Sequence, residues 1–569
     1  MGLAGTRFGG AAGAFRRIDG WTLGTVLVAV AASIPIAAVI GLALTPGESV
    51  WGHLASTVLP LYIRTTLLLM VGVGLGTLVI GAGTAWLVTM CRFPGRHIFE
   101  WALLLPLAIP AYVVAYVYTD LLEYAGPVQE AVRASFGWTT KGDYWFPEIR
   151  SLGGAIAVMT LAFYPYVYLL SRAAFVEQSV CVLEVSRTLG HGPWRSAFRV
   201  ALPLARPALV IGLSLVLMET LNDFGTVDYF AVATFTAGIF DVWLNMNSVS
   251  GAAQLASVLL LFVLVVIHLE RRGRRGRRYH HTPTRYRALP GYPLRGGPAT
   301  LATLACLAPV VLGFAVPTGV LGSYALTHYA DTLEADFLTY TANSLGLSSI
   351  AAVITVAVGT FMAYGARLRG GPVVTAATRF ASLGYAVPGA VLAIGVVLPT
   401  AWLDNTVDGI LDSVFGISTG LLLSGSVFVI IIGYVVRFLA LSFGTIEASL
   451  SKVTASMDGA ARTLGAGPMA TLRRVHLPIM RGSVLTAAIL VFVDCMKELP
   501  MTVILRPFDF HTLATFVHQY ASDELLAESS LAALTIVASG ILPVILLSRT
   551  IGRSRPGHTG APDGAGATP

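Results

Sequence analysis

RTLGHGPWRSAFRVALPLARP occupies residues 187–207 and RTLGAGPMATLRRVHLPIMRG occupies residues 462–482, so one short, basic, Gly- and Pro-punctuated pattern is written twice, 275 positions apart. The offset holds from Arg187 to Val227: Leu202-Pro203 falls on Leu477-Pro478, Glu219 on Asp494 and Asp223 on Glu498. Earlier in the chain it becomes 278, pairing Gly81 with Gly359, Ala85-Trp86 with Ala363-Tyr364, and LAIPA at 107–111 with YAVPG at 385–389, Pro110 on Pro388. Offsets this steady mark an internal duplication, with each repeat one half of the fold.

The surrounding sequence sets the class. With 55% hydrophobic and 12% charged residues and a mean hydropathy of +0.74, the chain is far from an ordinary soluble domain. A run of about 18 apolar residues, rising ~1.5 Å each, is enough to cross a ~30 Å hydrocarbon core. Twelve such runs are expected at 22–44, 65–90, 99–122, 152–175, 204–222, 251–269, 299–320, 342–366, 378–402, 419–446, 483–503 and 526–548. The expected fold is an all-α polytopic membrane protein of two homologous halves. An even number of crossings separates equivalent elements, so the halves share one orientation. The implied division is an N-terminal segment 1–20, a first half 21–269 with its doubled loop at about 180–206, and a basic linker 270–298. A second half 299–549, with its loop at about 454–481, and a disordered tail 550–569 complete it.

Lysine and arginine hold loops in the cytoplasm. With the N-terminus inside, the segments around Arg16-Arg17, Arg92–Arg96, Arg172–Arg206, Arg271–Arg295, Arg367–Arg379, Arg437–Arg481 and Arg549–Arg555 all fall on that side. They hold 31 of the 37 basic residues. Both termini and both doubled loops are then cytoplasmic. ERRGRRGRRYHH at 270–281 directly follows a span and reads as a topology anchor facing anionic lipid, which accounts for the pI of 9.2 without nucleic acid. Arg16-Arg17 ahead of an apolar run resembles a signal peptide, but Thr22 to Leu44 is long enough to span and reads as an uncleaved first helix. Cys91, Cys181, Cys306 and Cys495 stand singly with no CxxC spacing, so neither a disulfide framework nor a zinc site is indicated. His280-His281 belongs with the linker, and no metal ligands can be assigned.

Each doubled stretch follows an amphipathic run, VCVLEVSRTLG at 180–190 and TASMDGAARTLG at 454–465. Gly190 and Gly465 can end a helix at positive φ. Pro193 and Pro468 suit the first turn of the next helix, and Leu202-Pro203 and Leu477-Pro478 are expected to turn the chain into the following span. The product is a short helix-turn-helix on the cytoplasmic surface, suited to another protein's groove.

The pattern of EVSRTLG or GAARTLG, an eleven- to twelve-residue gap and then Leu-Pro resembles the EAA loop of ABC importer permeases. The resemblance implies a coupling helix that inserts into a cleft of an ATPase subunit. The first copy would supply Glu184, Val185, Ser186, Gly190, Leu202 and Pro203; the second Gly459, Ala460, Ala461, Gly465, Leu477 and Pro478. At the acidic position Gly459 replaces Glu, and Asp458 stands one residue earlier, so the two handles are expected to be unequal. METLNDFGTVDYFAVATFTAGIFDVW at 218–243, KELPMTVILRPFDFHTLATFVHQYA at 497–521 and PAYVVAYVYTDLLEYAGPVQ at 110–129 resemble fused permeases of ferric-iron importers. Related permeases for thiamine, phosphonate, sulfate or polyamines share much of that architecture. The resemblance implies a bacterial inner-membrane location, two ATPase copies, and a periplasmic substrate-binding protein. No cofactor is expected on this chain, with ATP and magnesium carried by the ATPase. A P-loop needs Gly-Lys-Ser/Thr, yet Lys141, Lys452 and Lys497 follow Thr140, Ser451 and Met496. No HExxH, GxSxG or EF-hand loop is present either, which argues against an intramembrane enzyme. An ion-driven secondary transporter would also tolerate parallel repeats, but gives no reason for two coupling loops.

Glu219 with Asp223, and Asp494 with Glu498, recur at matched positions in the span after each loop, and Lys497 stands beside the second pair. Ionisable groups in a span are costly and face protein, water or a partner. At ~1.5 Å per residue, Asp223 lies about 24 Å beyond Pro207, toward the outer end. Spacing of four places each acidic pair on one helix face. Two roles stay open: the carboxylates line a path and favour a hard cation through oxygen ligands, or they cap helix ends and pair with Lys497 to brace a gate.

Overall fold

The computed structural model describes residues 19–45, 52, 56–177, 186, 188–190, 192–274, 291–329, 335–451 and 453–553. Glu184, Val185, Cys181, nearly all of the N-terminal segment, most of the linker and the tail from 554 lie outside the described residues.

The first half contains α1 (Gly20–Leu44), α2 (Leu59–Met90), α3 (Arg96–Ala102), α4 (Ala111–Leu122), α5 (Leu152–Glu177), α6 (Leu202–Asn222) and α7 (Val249–Arg274). The second contains α8 (Gly297–Thr327), α9 (Ala335–Arg369), α10 (Pro372–Ala381), α11 (Gly389–Phe415), α12 (Val427–Leu450), α13 (Ala455–Thr463), α14 (Leu477–Met496) and α15 (Leu526–Arg553). Among the described residues, eleven helices are long and apolar enough to cross a membrane, and a bent pair can supply a twelfth crossing. The protein is a multi-pass, nearly all-helical membrane protein.

The expected spans 99–122 and 378–402 are not continuous helices. In the first half the chain bends by 89° between Arg96–Ala108 and Ala111–Phe136. In the second, α10 ends at Ala381 and α11 starts only at Gly389. The cause is the duplicated proline: Ile109 and Val387, each preceding one, are extended at ψ 126° and 128°, because a proline ring disfavours helical backbone in the residue before it. The run 483–503 likewise stops at Met496, and Pro500 opens a separate helix, Pro500–Leu505. The run 419–446 begins at Val427, after Gly416 and Gly420 at positive φ.

Equivalent helices make equivalent contacts. In the packing of α2 on α5, a Cβ on Gly81 would stand 2.7 Å from the Val167 Cβ and 2.8 Å from the Tyr164 carbonyl oxygen. In the packing of α9 on α12, a Cβ on Gly359 would collide with Ser442 and lie 3.1 Å from Phe443 N. Val167 and Ser442 are themselves 275 positions apart. The first helix of each half crosses to the other: α1 packs on α9, α10 and α11, while α8 reaches α4 and α5. The α1 crossing is so close that a Cβ on Gly395 would overlap the Pro35 carbonyl. One buried apolar cluster, from Ala29 to Val537, therefore spans both halves.

Gly81→Val should destabilise the protein by about 1–3 kcal/mol through overpacking, whereas Gly83→Ala, with nothing within 4 Å of the new Cβ, should not. Thermal unfolding of the detergent-purified variants checks this; equal midpoints for the two would refute the close-packing assignment.

Candidate coupling segments and central charged cavity

Gly190 and Gly465 adopt φ of +75° and +80°, as expected of helix-ending glycines, and Pro193 and Pro468 begin new helical turns. The chain does not turn at Leu-Pro, as the sequence suggested. It runs on through one wide π-turn in each half, Ala197–Ala201 and Leu472–His476, directly into α6 and α14. The Leu202 N–H bonds to the Ala197 carbonyl and the Leu477 N–H to that of Leu472. Pro203 and Pro478 have no N–H to donate and crowd the carbonyl four residues back, and a five-residue turn absorbs both defects. Trp194–Asn222 and Pro468–Met496 are thus single rods of 29 residues, about 43 Å long at ~1.5 Å per residue.

The two segments are braced differently. In the first, the Ser186 and Ser196 hydroxyls lie 3.0 Å apart. In the second, Asp458 Oδ2 accepts from Arg367 Nε at 3.1 Å and Nη2 at 2.9 Å, and Oδ1 accepts from His476 Nε2 at 2.6 Å. Arg367 also donates to the carbonyls of Leu450 at 2.6 Å and Val453 at 2.8 Å, and the Tyr364 hydroxyl donates to the Pro468 carbonyl at 2.8 Å. The equivalents of Asp458, Arg367 and His476 in the first half are Leu183, Thr89 and Ala201, which cannot build this triad. Burial pushes the Asp458 carboxyl up, but the hydrogen bonds from His476 and Arg367 outweigh it and hold the group below the ordinary carboxylate range. A depressed carboxylate contributes its stability above the unfolded-state value and loses it as pH falls through the folded one, so this brace is complete at neutral pH. Gly459 has open space around a would-be Cβ.

At the other end of the rods, Glu219, Asp223, Asp494, Lys497 and Glu498 all line one cavity of ≈ 90 Å³ between the halves. The acidic pairs do not share a helical face, because α6 ends at Asn222 and α14 at Met496. Asp223 and Glu498 sit just past those ends and cap the next short helices. Asp223 accepts from Thr226 N at 2.9 Å and Thr226 Oγ1 at 3.1 Å. Glu498 accepts from Met501 N at 3.1 Å, Thr502 N at 3.1 Å and Thr502 Oγ1 at 2.8 Å. Asp494 pairs with Lys497 at 2.9 Å, and Glu219 accepts from the Tyr385 hydroxyl of the other half at 3.2 Å. Among the described residues, no three His, Cys, Asp or Glu side chains are grouped to hold a metal ion.

Sequence reasoning missed Arg437, Asn222 and Tyr385, which line the same cavity. It also grouped Arg437 with a cytoplasmic loop, whereas the residue is buried within α12. A lone arginine ten residues into an apolar run was the available signal. Its Nη1 donates to Asn222 Oδ1 at 2.8 Å and lies 3.6 Å from Glu498 Oε1. Asn222 Oδ1 also accepts from Gly389 N at 2.6 Å, tying the end of α6 to the start of α11.

This doubled architecture has known counterparts. Residues 77–275 and 355–554 each match the family described as the binding-protein-dependent transport system inner membrane component. The chain belongs to that family. The two matches begin 278 positions apart, the offset of the duplication. This inner membrane component is 28% identical over 505 residues to the Fe(3+)-transport system permease protein FbpB 2 of Haemophilus influenzae, covering 86% of this chain and 89% of that one. It is 28% identical over 195 residues to the molybdenum transport system permease protein ModB of Escherichia coli, 33% of this chain and 82% of the relative. With the sulfate transport system permease protein CysT of Escherichia coli it shares 30% over 194 residues, 33% of this chain and 67% of the relative. ModB and CysT thus align with about one third of the permease, and FbpB 2 with most of it.

Asp458→Asn should loosen the second coupling segment by about 1–2 kcal/mol, the worth of charge-assisted hydrogen bonds at a partly exposed site. Gly459→Glu, placed in open space, should not. Amide hydrogen exchange across Ala455–Thr463 is the readout, and unchanged exchange in Asp458→Asn would rule out the brace.

Proposed function

We propose that this permease forms the membrane path of an ATP-driven importer of ferric iron in a bacterial inner membrane, with both termini cytoplasmic. A periplasmic binding protein delivers the cargo, and two ATPase copies that carry ATP and magnesium dock one on each coupling segment. The observation that carries the coupling is the continuity of the two rods: one helix in each half begins at the docking segment and ends at Glu219 or Asp494 on the cavity. Displacing the segment moves the carboxylates without an intervening hinge. Matched apolar side chains stand in the open at both segments, Leu189 at 69% and Leu464 at 87% exposed, Trp194 at 60% and Met469 at 52%. Such paired exposure fits a surface covered by another protein.

Cargo charge follows from the lining. Four carboxylates face two cationic groups, Arg437 and Lys497, so the cavity favours a cation and disfavours sulfate. The near full-length likeness to an Fe(3+)-transport permease supports ferric iron over thiamine or polyamines. Asp223 and Glu498 act as caps that fix the cavity wall, leaving Glu219 and Asp494 to meet the ion as it passes.

Proteoliposomes holding the permease, its ATPase and its binding protein should take up radiolabelled ferric ion only with ATP. Glu219→Gln and Asp494→Asn should each lower uptake about tenfold, equivalent to ~1.4 kcal/mol on the barrier, while ATP hydrolysis continues. Full uptake in both variants removes these residues from the path, and transport without any ATPase would favour a secondary transporter.

A further inference from the structure

Arg437 has no twin. Its equivalent at the 275 offset is Ala162, which lines the same cavity from the first half. It lies ten residues into the 24-residue α12, about 15 Å along a helix of about 36 Å, near mid-depth. The side chain is only 6% exposed, and a cation there is expensive unless it serves a purpose.

Its bonding is unlike that of a structural arginine. A guanidinium offers five N–H donors. Arg367 engages four of them, with two bonds to Asp458 and one each to the Leu450 and Val453 carbonyls. Arg437 makes one hydrogen bond, to Asn222, and one long ion pair, to Glu498, and its buried Nε has no hydrogen-bond partner among the described residues. Glu498, by contrast, is fixed by three bonds to the head of Pro500–Leu505. The carboxylate is anchored and the guanidinium is not. Asn222 belongs to the first half and Arg437 to the second, so separating the halves breaks the one short bond that holds Arg437 in place.

We infer that Arg437 is a tethered cation that fills the carboxylate-lined cavity while the transporter rests, barring free cations, and that withdraws when the halves part and cargo takes its place. This rests on the cavity being the path. A fixed positive charge at a constriction is an effective electrostatic barrier to cations. Without it, four carboxylates would face Lys497 alone, and the cavity would conduct rather than exclude.

The test uses the assembled permease–ATPase complex in vesicles containing calcein, with no ATP and no binding protein, and follows quenching by external Mn²⁺. Arg437→Gln should raise the Mn²⁺ leak about tenfold over wild type, the loss of a local electrostatic barrier, while Arg133→Gln, outside the cavity, should not. A leak equal to wild type in an assembled Arg437→Gln complex overturns the inference. If that variant does not assemble, Arg437→Met carries the test: it keeps an unbranched apolar stem but removes the charge, so its leak should also exceed wild type, and an unchanged leak overturns the proposal. ATP-driven ferric uptake by the wild-type complex, measured separately, reports on the importer reading and is independent of the leak.

Discussion

A peptide group in hydrocarbon has no water to bond, so each departure from the helix must be covered by protein. The breaks before Pro110 and Pro388 and the π-turns before Leu202 and Leu477 are departures that recur at equivalent places in both halves. The proline breaks are placed at the interface of the halves, where Asn222 takes up the freed Gly389 N–H. The π-turns lie at the opposite ends of α6 and α14 from the cavity. From the π-turns to the cavity, α6 and α14 run unbroken.

The duplication, the helical class and the positions of the five ionisable residues could be read from composition, offset and charge. The bends could not, because hydropathy averages over a proline that is itself compatible with an apolar run. Pro110 and Pro388 were aligned with each other, yet the local restriction that each imposes on the residue before it was not carried into the span boundaries. Leu-Pro was misread in the opposite sense: a motif that suggests a turn is accommodated by one extra residue in a helical turn. Asp223 and Glu498 were placed by helical periodicity on a helix that stops one or two residues earlier. Arg437 escaped because a regional tally of arginines does not ask how deep each one lies.

Two sets of polar and charged residues that differ between the halves lie at two depths. At the candidate coupling segments, the second half alone has the Asp458–Arg367–His476 triad. At the cavity, Asn222 of the first half stands where the second has Lys497, and Ala162 where it has Arg437. The shared framework keeps the helices in register while these substitutions give each half its own electrostatic task.

The exchange of first helices bears on why such differences can persist. Because α1 lies on the second half and α8 on the first, the halves are clasped by packing, and the linker's contribution is to fix composition at one of each. A homodimer of second halves would have to seat two guanidinium groups in a cavity of ≈ 90 Å³, where like charges repel strongly. Joining the halves in one chain guarantees that every transporter carries a single arginine at its centre, and so allows a residue that symmetry would forbid.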